Sequence, residues 1–228
     1  MIKSPGAAVS GASSDEQQVL RHWGDVSADP MNGESGRALA ERVIDVVAGI
    51  QGVSTVCDLG CGNGHLAARL ATRGYSVFAV DASERLLSLA RQHHASDRIE
   101  YCHALIGPGV VDRVSQRQFD LVVSVDVVEH LYRPMTLIET ADALLRPGGH
   151  LVVCTPYHGY LKNLAISLLG GWDSHHGVHW DGGHIKFFSV PTLRTLVASR
   201  FEVQRFEYFG RVRGLWKNMI CIATKTTS

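Results

Sequence analysis

Apolar and polar positions alternate between two periods along this chain. Ala38, Val43, Val46 and Val47 keep helical spacing, which predicts an amphipathic helix ending near Gly49 or Gly52. Residues 55–59 (Thr55-Val56-Cys57-Asp58-Leu59) read as a strand that breaks into the turn Gly60-Cys61-Gly62-Asn63-Gly64. Residues 65–73 are expected to be helical and to stop at Gly74; residues 76–80 form the next strand, closed by Asp81. Residues 82–94 suit a helix with Ser83 as its N-cap. A third strand is expected over 99–103, followed by an irregular stretch around Gly107-Pro108-Gly109. The nearly continuous apolar run 119–125 has the pattern of a strand buried on both faces. A helix over 135–145 is ended by Arg146-Pro147-Gly148-Gly149, and residues 150–155 make a fifth strand. Residues 201–209 and 218–224 close the pattern as a strand pair. Such alternation predicts an α/β fold: a doubly wound, mostly parallel, seven-stranded sheet in one domain.

Two stretches depart from the alternation. Residues 1–52 precede the first sheet strand and are expected to supply a loosely ordered beginning, over 1–18, and a helical cap on the domain spanning 53–228. Residues 157–190 are too long for an ordinary strand–helix connection, so a lid or substrate-binding insertion is expected there. Within it, Leu161, Leu164, Ala165 and Leu168 keep helical spacing. They suit a helix packed on the sheet, or an apolar wall for a hydrophobic substrate or membrane contact.

Composition narrows the function classes. Lys+Arg and Asp+Glu are 22 each, so the chain lacks the basic excess that captures nucleic acid or anionic membrane. A basic group near the C-terminus (Arg205, Arg211, Arg213 and Lys217) is the one exception. No apolar run approaches the roughly 18–20 residues that span a bilayer. The first 18 residues lack the layout of an export signal, and five scattered cysteines give no disulfide framework. A cytoplasmic location is the expectation. Histidine is over-represented, with 12 in all, and they crowd between His130 and His184.

The glycine-rich turn after the first strand lets a ligand approach the backbone closely. Asp81, ending the second strand, is placed to accept both hydroxyls of a ribose. The dinucleotide frame G-x-G-x-x-G/A fails here, because Gly62 is followed by Asn63, Gly64 and His65. A carboxylate at Asp58 would also repel a pyrophosphate, yet it suits a cation. S-adenosylmethionine carries a sulfonium and an ammonium and no phosphate.

With these blocks in this order the chain resembles the class I S-adenosylmethionine-dependent methyltransferases. The likeness runs from about Val53 to Val153. It rests on the turn, Asp81, Phe119-Asp120-Leu121-Val122-Val123, Glu129-His130 and Leu144-Leu145-Arg146-Pro147-Gly148-Gly149. The resemblance implies that Gly60, Cys61 and Gly62 face the methionine part, that Asp81 holds the ribose, and that Ala82 lies beside the adenine. Val125 would line the cleft, and Arg37 is the candidate partner for the cofactor carboxylate. Many relatives carry an acid after the third strand, near the adenine amino group; this chain has Cys102-His103-Ala104-Leu105 instead.

The block Asp126-Val127-Val128-Glu129-His130 follows the fourth strand at the ligand-binding edge of such sheets. A helical continuation would put Asp126, Glu129 and His130 on one face. His184, before Phe187 and Phe188, is the candidate fourth ligand. The pattern is similar to that of ubiquinone-pathway and small-RNA methyltransferases with two carboxylates and two histidines, although Asp126 stands where Glu is more usual. Such a set suits Mn²⁺, Fe²⁺, Co²⁺ or Zn²⁺, with Mg²⁺ if water completes the shell. Many metal-free relatives also carry Glu-His there, lining the cleft. His158, His175, His176 and His179 are alternative ligands, whereas Cys57 and Cys61 are not a metal pair.

The expected activity is therefore methyl transfer to a hydroxyl of a small, aromatic or quinone-like acceptor, with His130 and His184 as catalytic base or ligands. Methylation of nitrogen or carbon without a metal is the alternative. A non-catalytic cofactor-binding protein would show a damaged turn or lost cleft acids, which this sequence does not.

Overall fold

The computed structural model describes residues 33–114, 117–176 and 183–226. The expectation for residues 1–18 lies outside the described residues. Seven strands follow one another as β1 (Thr55–Leu59), β2 (Ser76–Asp81), β3 (Ile99–His103), β4 (Phe119–Val125), β5 (Leu145–Pro156), β6 (Phe201–Phe209) and β7 (Asn218–Lys225). They form one sheet in the order β3-β2-β1-β4-β5-β7-β6. The first five run parallel, and β7 is antiparallel to both β5 and β6. The strand order reverses between β1 and β4, and a cleft opens beyond the carboxyl ends of strands at such a reversal.

Alternation along β1 shows why both faces are covered. Val56 faces the layer made by α1 (Glu34–Ala48) and α2 (His65–Thr72), where Leu39, Val43, Leu66 and Leu70 are buried. Cys57 faces the opposite layer, with Leu137 and Ile138 of α5 (Met135–Leu144) and Leu193 of α8 (Val190–Val197). Two layers of helices on one sheet account for the continuous apolar runs read as buried strands. On the first layer lies α3 (Glu84–His93), whose predicted N-cap, Ser83, accepts the Leu86 N–H at 3.3 Å.

Three local readings need correction. The stretch at Gly107-Pro108-Gly109 opens a helix, α4 (Pro108–Arg113), with proline in its first turn. That start signal was present in the sequence, but the helix is too short to show a period. The segment read as a helix stop at 146–149, and Leu145 before it, already belong to β5. Finally, α6 (Tyr160–Leu168) does not pack into the core: none of its residues is buried, and Leu161 and Leu168 are 60% and 77% exposed. A short α7 (Trp172–His176) follows it.

Candidate active site

β1 delivers the chain into the glycine-rich turn at the sheet reversal. The Gly60 and Cys61 N–H groups both donate to the Val80 carbonyl, at 2.8 and 2.9 Å, which binds the turn to β2. Gly60 has φ +85°, and a Cβ there would collide with Val127, so glycine is required twice over. The Asp81 carboxylate is fixed by two backbone donors, Gly62 N–H to Oδ2 and Ser83 N–H to Oδ1, each at 2.8 Å.

Asp58 lies beneath this turn and is 1% exposed. Its Oδ2 has no hydrogen-bond partner among the described residues. Burial, with the neighbouring Asp81 charge added, pushes its carboxyl up to about 7. Asp58, Gly60, Cys61 and Val125 line one small pocket, together with Asn63, His65 and Leu66. An orphaned buried carboxyl oxygen, a glycine cradle and a fixed acid at the tip of β2 fit a cationic ribonucleoside such as S-adenosylmethionine.

The remaining predicted cofactor residues are placed differently. Gly62 and Asp81 back the turn rather than line the pocket, and Ala82 presents its carbonyl to His103 Nε2 at 3.0 Å. His103 also puts Nδ1 3.4 Å from a Glu84 carboxylate oxygen, so an acid does stand at this edge, brought from α3 instead of β3. Arg37 is exposed on α1 and is not among the pocket-lining residues.

The second half of the site is built where β4 ends. Asp126 adopts φ +52°, so no helix continues the strand. Only a single 3-10 turn, Val128–His130, follows. Asp126 points elsewhere than expected: its Oδ1 accepts the Asn218 amide at 2.7 Å. Glu129 is 1% exposed; its Oε2 accepts the Thr155 hydroxyl at 2.9 Å, and Oε1 has no partner among the described residues. Burial drives the Glu129 carboxyl well above the usual range, and Asp126 adds to this.

The return segment 183–188 is docked on this turn. Ile185 and Lys186 donate their N–H groups to the Glu129 carbonyl at 3.1 and 3.0 Å. His130 Nδ1–H donates to the Gly183 carbonyl at 3.2 Å, an assignment that leaves the lone pair on Nε2. The His130 and His184 rings lie with centroids 4.9 Å apart. One ligand atom from each of Glu129, His130 and His184 falls within 4.8 Å of the others.

The four proposed ligands thus divide three to one. Glu129, His130 and His184 converge, and Asp126 is turned to Asn218 because the chain bends left-handed where a helix was expected. A buried carboxylate with one unsatisfied oxygen and two imidazoles fits a divalent transition metal. The alternative histidines are grouped apart: buried His158 packs on Phe187 and His175, with ring centroids 5.0 and 6.1 Å away. The His176 side chain and His179 lie outside the described residues. Thr155, Asn218, Asn63 and His65 were not singled out from sequence, and only the last two carried a signal, their place in the glycine-rich turn and at the following helix start.

A family model for the methyltransferase domain matches residues 31–200. A relative named ubiquinone biosynthesis O-methyltransferase, from Caulobacter sp. (strain K31), is 35% identical over 116 residues, covering 50% of this chain and 44% of the relative. Another of that name, from Nitrosomonas europaea, is 28% identical over 140 residues, or 60% of this chain and 59% of the relative. The chain therefore spans about half the length of these curated relatives. Among solved structures, the N-methyltransferase NodS from Bradyrhizobium japonicum WM9, in complex with S-adenosyl-L-homocysteine, superposes with TM-score 0.64 at 18% identity. That match covers 91% of this chain and 97% of NodS. The 1,6-didemethyltoxoflavin-N1-methyltransferase from Burkholderia thailandensis gives TM-score 0.66 at 19% identity, covering 99% and 93%. These distant structures share the fold, while the family match spans most of the chain and takes in both halves of the site. The chain belongs to the methyltransferase-domain family, in its class I, S-adenosylmethionine-dependent form.

Proposed function

We propose that the protein transfers a methyl group from S-adenosylmethionine to a hydroxyl of a small, aromatic or quinone-like acceptor. The carrying observation is the convergence of Glu129, His130 and His184 within 4.8 Å, with Val127, two residues before Glu129, abutting Gly60 of the glycine-rich turn. The curated relatives named for ubiquinone O-methylation support the same reading.

Bound in the cleft, S-adenosylmethionine supplies a methyl group already activated by its sulfonium. What remains for this chain is alignment and removal of a proton. Asp81 holds the ribose with Ala82 beside the adenine, and the Gly60–Gly62 backbone, Asp58 and Val125 meet the methionine side. Placing an acceptor oxygen in line with the methyl contributes up to about 7–11 kcal/mol through proximity alone. A phenol has a pKa of about 10, so its proton must be taken as the oxygen attacks. A divalent ion held by Glu129, His130 and His184 would supply Lewis-acid chemistry there. Without an ion, His130 and His184 would instead act as the base, and the Gly183 carbonyl holds His130 in the tautomer whose Nε2 accepts a proton.

The return segment 183–188 and α6 form the wall on the acceptor side. The test is direct: purified protein, labelled S-adenosylmethionine, and a panel of catechols, anilines and carbon acids. Methylation of catechol hydroxyls, abolished by a chelator and restored by Mn²⁺ or Zn²⁺, is the expected result. Transfer to nitrogen or carbon that survives the chelator would overturn it.

A further inference from the structure

Asp126 is the expected metal ligand that the structure sets apart, and its surroundings give it another task. Among the described residues it is the one non-glycine with positive φ, at +52°. Such backbone is uncommon outside glycine and gathers at functional sites, where neighbouring contacts hold it in place. Two contacts do so here. The Asp126 N–H donates to the Cys154 carbonyl at 3.0 Å, and Oδ1 accepts the Asn218 amide at 2.7 Å. Oδ2 takes no hydrogen bond from any described residue, and Asp126 is only half-buried, so that oxygen is open to a ligand.

Sheet order fixes the direction in which this carboxylate reaches. β4 lies between β1, which carries the glycine-rich turn, and β5, and β7 lies beyond β5. Asn218 opens β7 opposite Pro156, the last residue of β5. The Asp126 side chain therefore crosses the end of β5, away from the cofactor turn. Thr155, beside Pro156, holds the Glu129 carboxylate at 2.9 Å, so both acids hang over one strand end. Only Glu129 joins His130 and His184 in the group spanning 4.8 Å. Asp126 stands next to that group with an acceptor oxygen still to spend.

We infer that Asp126 is an acceptor-binding side chain, whose Oδ2 takes a hydrogen bond from a donor adjacent to the hydroxyl that is methylated. Glu129, His130 and His184 receive the reacting oxygen, and Asp126 sets how the acceptor lies by holding the neighbouring group. The accepted compound then carries a second hydroxyl or an amino group beside the reacting one. Asn218 is the positioning residue, since its amide aims the carboxylate. This inference deepens the methyltransferase reading and rests on it, and binding measurements separate the two.

Calorimetry on the whole protein, with and without S-adenosylhomocysteine, would compare catechol and 2-aminophenol with phenol, which lacks the second donor. At least one two-donor probe is expected to bind roughly tenfold tighter than phenol, the effect of one hydrogen bond to a charged group. Two variants test the residue. Asp126→Asn tolerates left-handed backbone and keeps the shape without the charge, and Asp126→Gly meets φ +52° without strain. In each the preference should fall to threefold or less, with S-adenosylhomocysteine affinity and any bound divalent ion retained. Equal binding of all three probes, no saturable binding of either two-donor probe, or a preference that survives Asp126→Gly would overturn the assignment. So would a parallel loss of S-adenosylhomocysteine affinity in both variants, which marks a structural role, or loss of a bound ion, which marks a ligand. A protein that prefers two-donor probes through Asp126 but does not bind S-adenosylhomocysteine would keep the assignment and remove the reading beneath it.

Discussion

Glu129 and Thr155 are joined through one carboxylate oxygen only: the threonine hydroxyl donates to Oε2 at 2.9 Å, and Oε1 is left without a partner in a 1% exposed side chain. A buried oxygen of this kind costs about 1–3 kcal/mol unless something satisfies it. A divalent ion between Glu129, His130 and His184 would do so. Metal analysis of the purified protein should then find close to one equivalent of a divalent ion. Glu129→Ala and His184→Ala should each lose it, with methyl transfer falling at least a hundredfold. Thr155→Val should weaken retention by a smaller factor, about tenfold, because it only orients the ligand. Stoichiometric metal retained in Glu129→Ala would remove these residues as ligands.

Asp81 is expected to govern cofactor affinity in two ways. Its carboxylate is the acceptor for ribose hydroxyls, and it also pins the Gly62 and Ser83 N–H groups at 2.8 Å. Asp81→Ala removes the first and frees the second, so S-adenosylhomocysteine binding should weaken by about 1–3 kcal/mol, roughly ten- to a hundredfold. Asp81→Asn keeps the shape and one acceptor and should lose less. Calorimetry showing unchanged affinity for Asp81→Ala would contradict the placement of the ribose.

The sheet was legible because buried strands and two-faced helices leave periods that survive in a single sequence. Asp58, Gly60 and Asp81 were legible because the turn demands glycine and its charge excludes a pyrophosphate. The helical face expected for Asp126, Glu129 and His130 does not form, for a physical reason: the chain takes φ +52° at Asp126, whose carboxylate accepts the amide of Asn218, some 90 residues away in sequence. Thr155 and Asn218 left no trace, since a hydroxyl or an amide at a strand end has no periodicity. Helix α6 misled in the other direction, because its apolar spacing matched a packed helix and yet the structure leaves it on the surface.

Away from the site, Asp120 ties together the starts of three parallel strands. Its Oδ2 accepts the N–H and hydroxyl groups of Ser54 and Thr55 at 2.9–3.0 Å, and Oδ1 accepts Arg146 Nε at 2.6 Å. Burial would raise this carboxyl, but the Arg146, Thr55 and Ser54 donors outweigh it and hold it well below the usual carboxylate range. A depressed folded pKa gives stability that is complete above the unfolded value, about 3.9, and is lost as pH falls toward the folded one. Asp120→Ala should therefore cost about 2–3 kcal/mol at neutral pH and much less near pH 2, with cofactor affinity unchanged. Urea melts across that range would show it, and a penalty independent of pH would rule out the charge as its source.

Asp58 has the opposite sign. Its folded carboxyl sits at about 7, against an ordinary value of 3.8, because burial disfavours the charge and Asp81 repels it. The folded protein then binds this proton more tightly than the unfolded chain does, so stability falls as pH rises from about 4 to about 7 and levels off beyond. The full difference corresponds to about 4 kcal/mol, to order of magnitude. Asp58→Asn, which cannot ionise, should melt higher than the parent at pH 8 in the absence of cofactor, and the gap should narrow through pH 5 and close near pH 4. Cofactor reverses the logic. An ammonium beside Asp58 favours the carboxylate, so binding at pH 7 should expel a fraction of a proton, and Asp58→Asn should bind more weakly and expel none. Calorimetric titration with S-adenosylhomocysteine in phosphate and in Tris reads that proton as a difference in apparent enthalpy. The same enthalpy in both buffers for the parent protein, with a melting gap that does not change with pH, would mean that Asp58 does not face the cationic end of the cofactor.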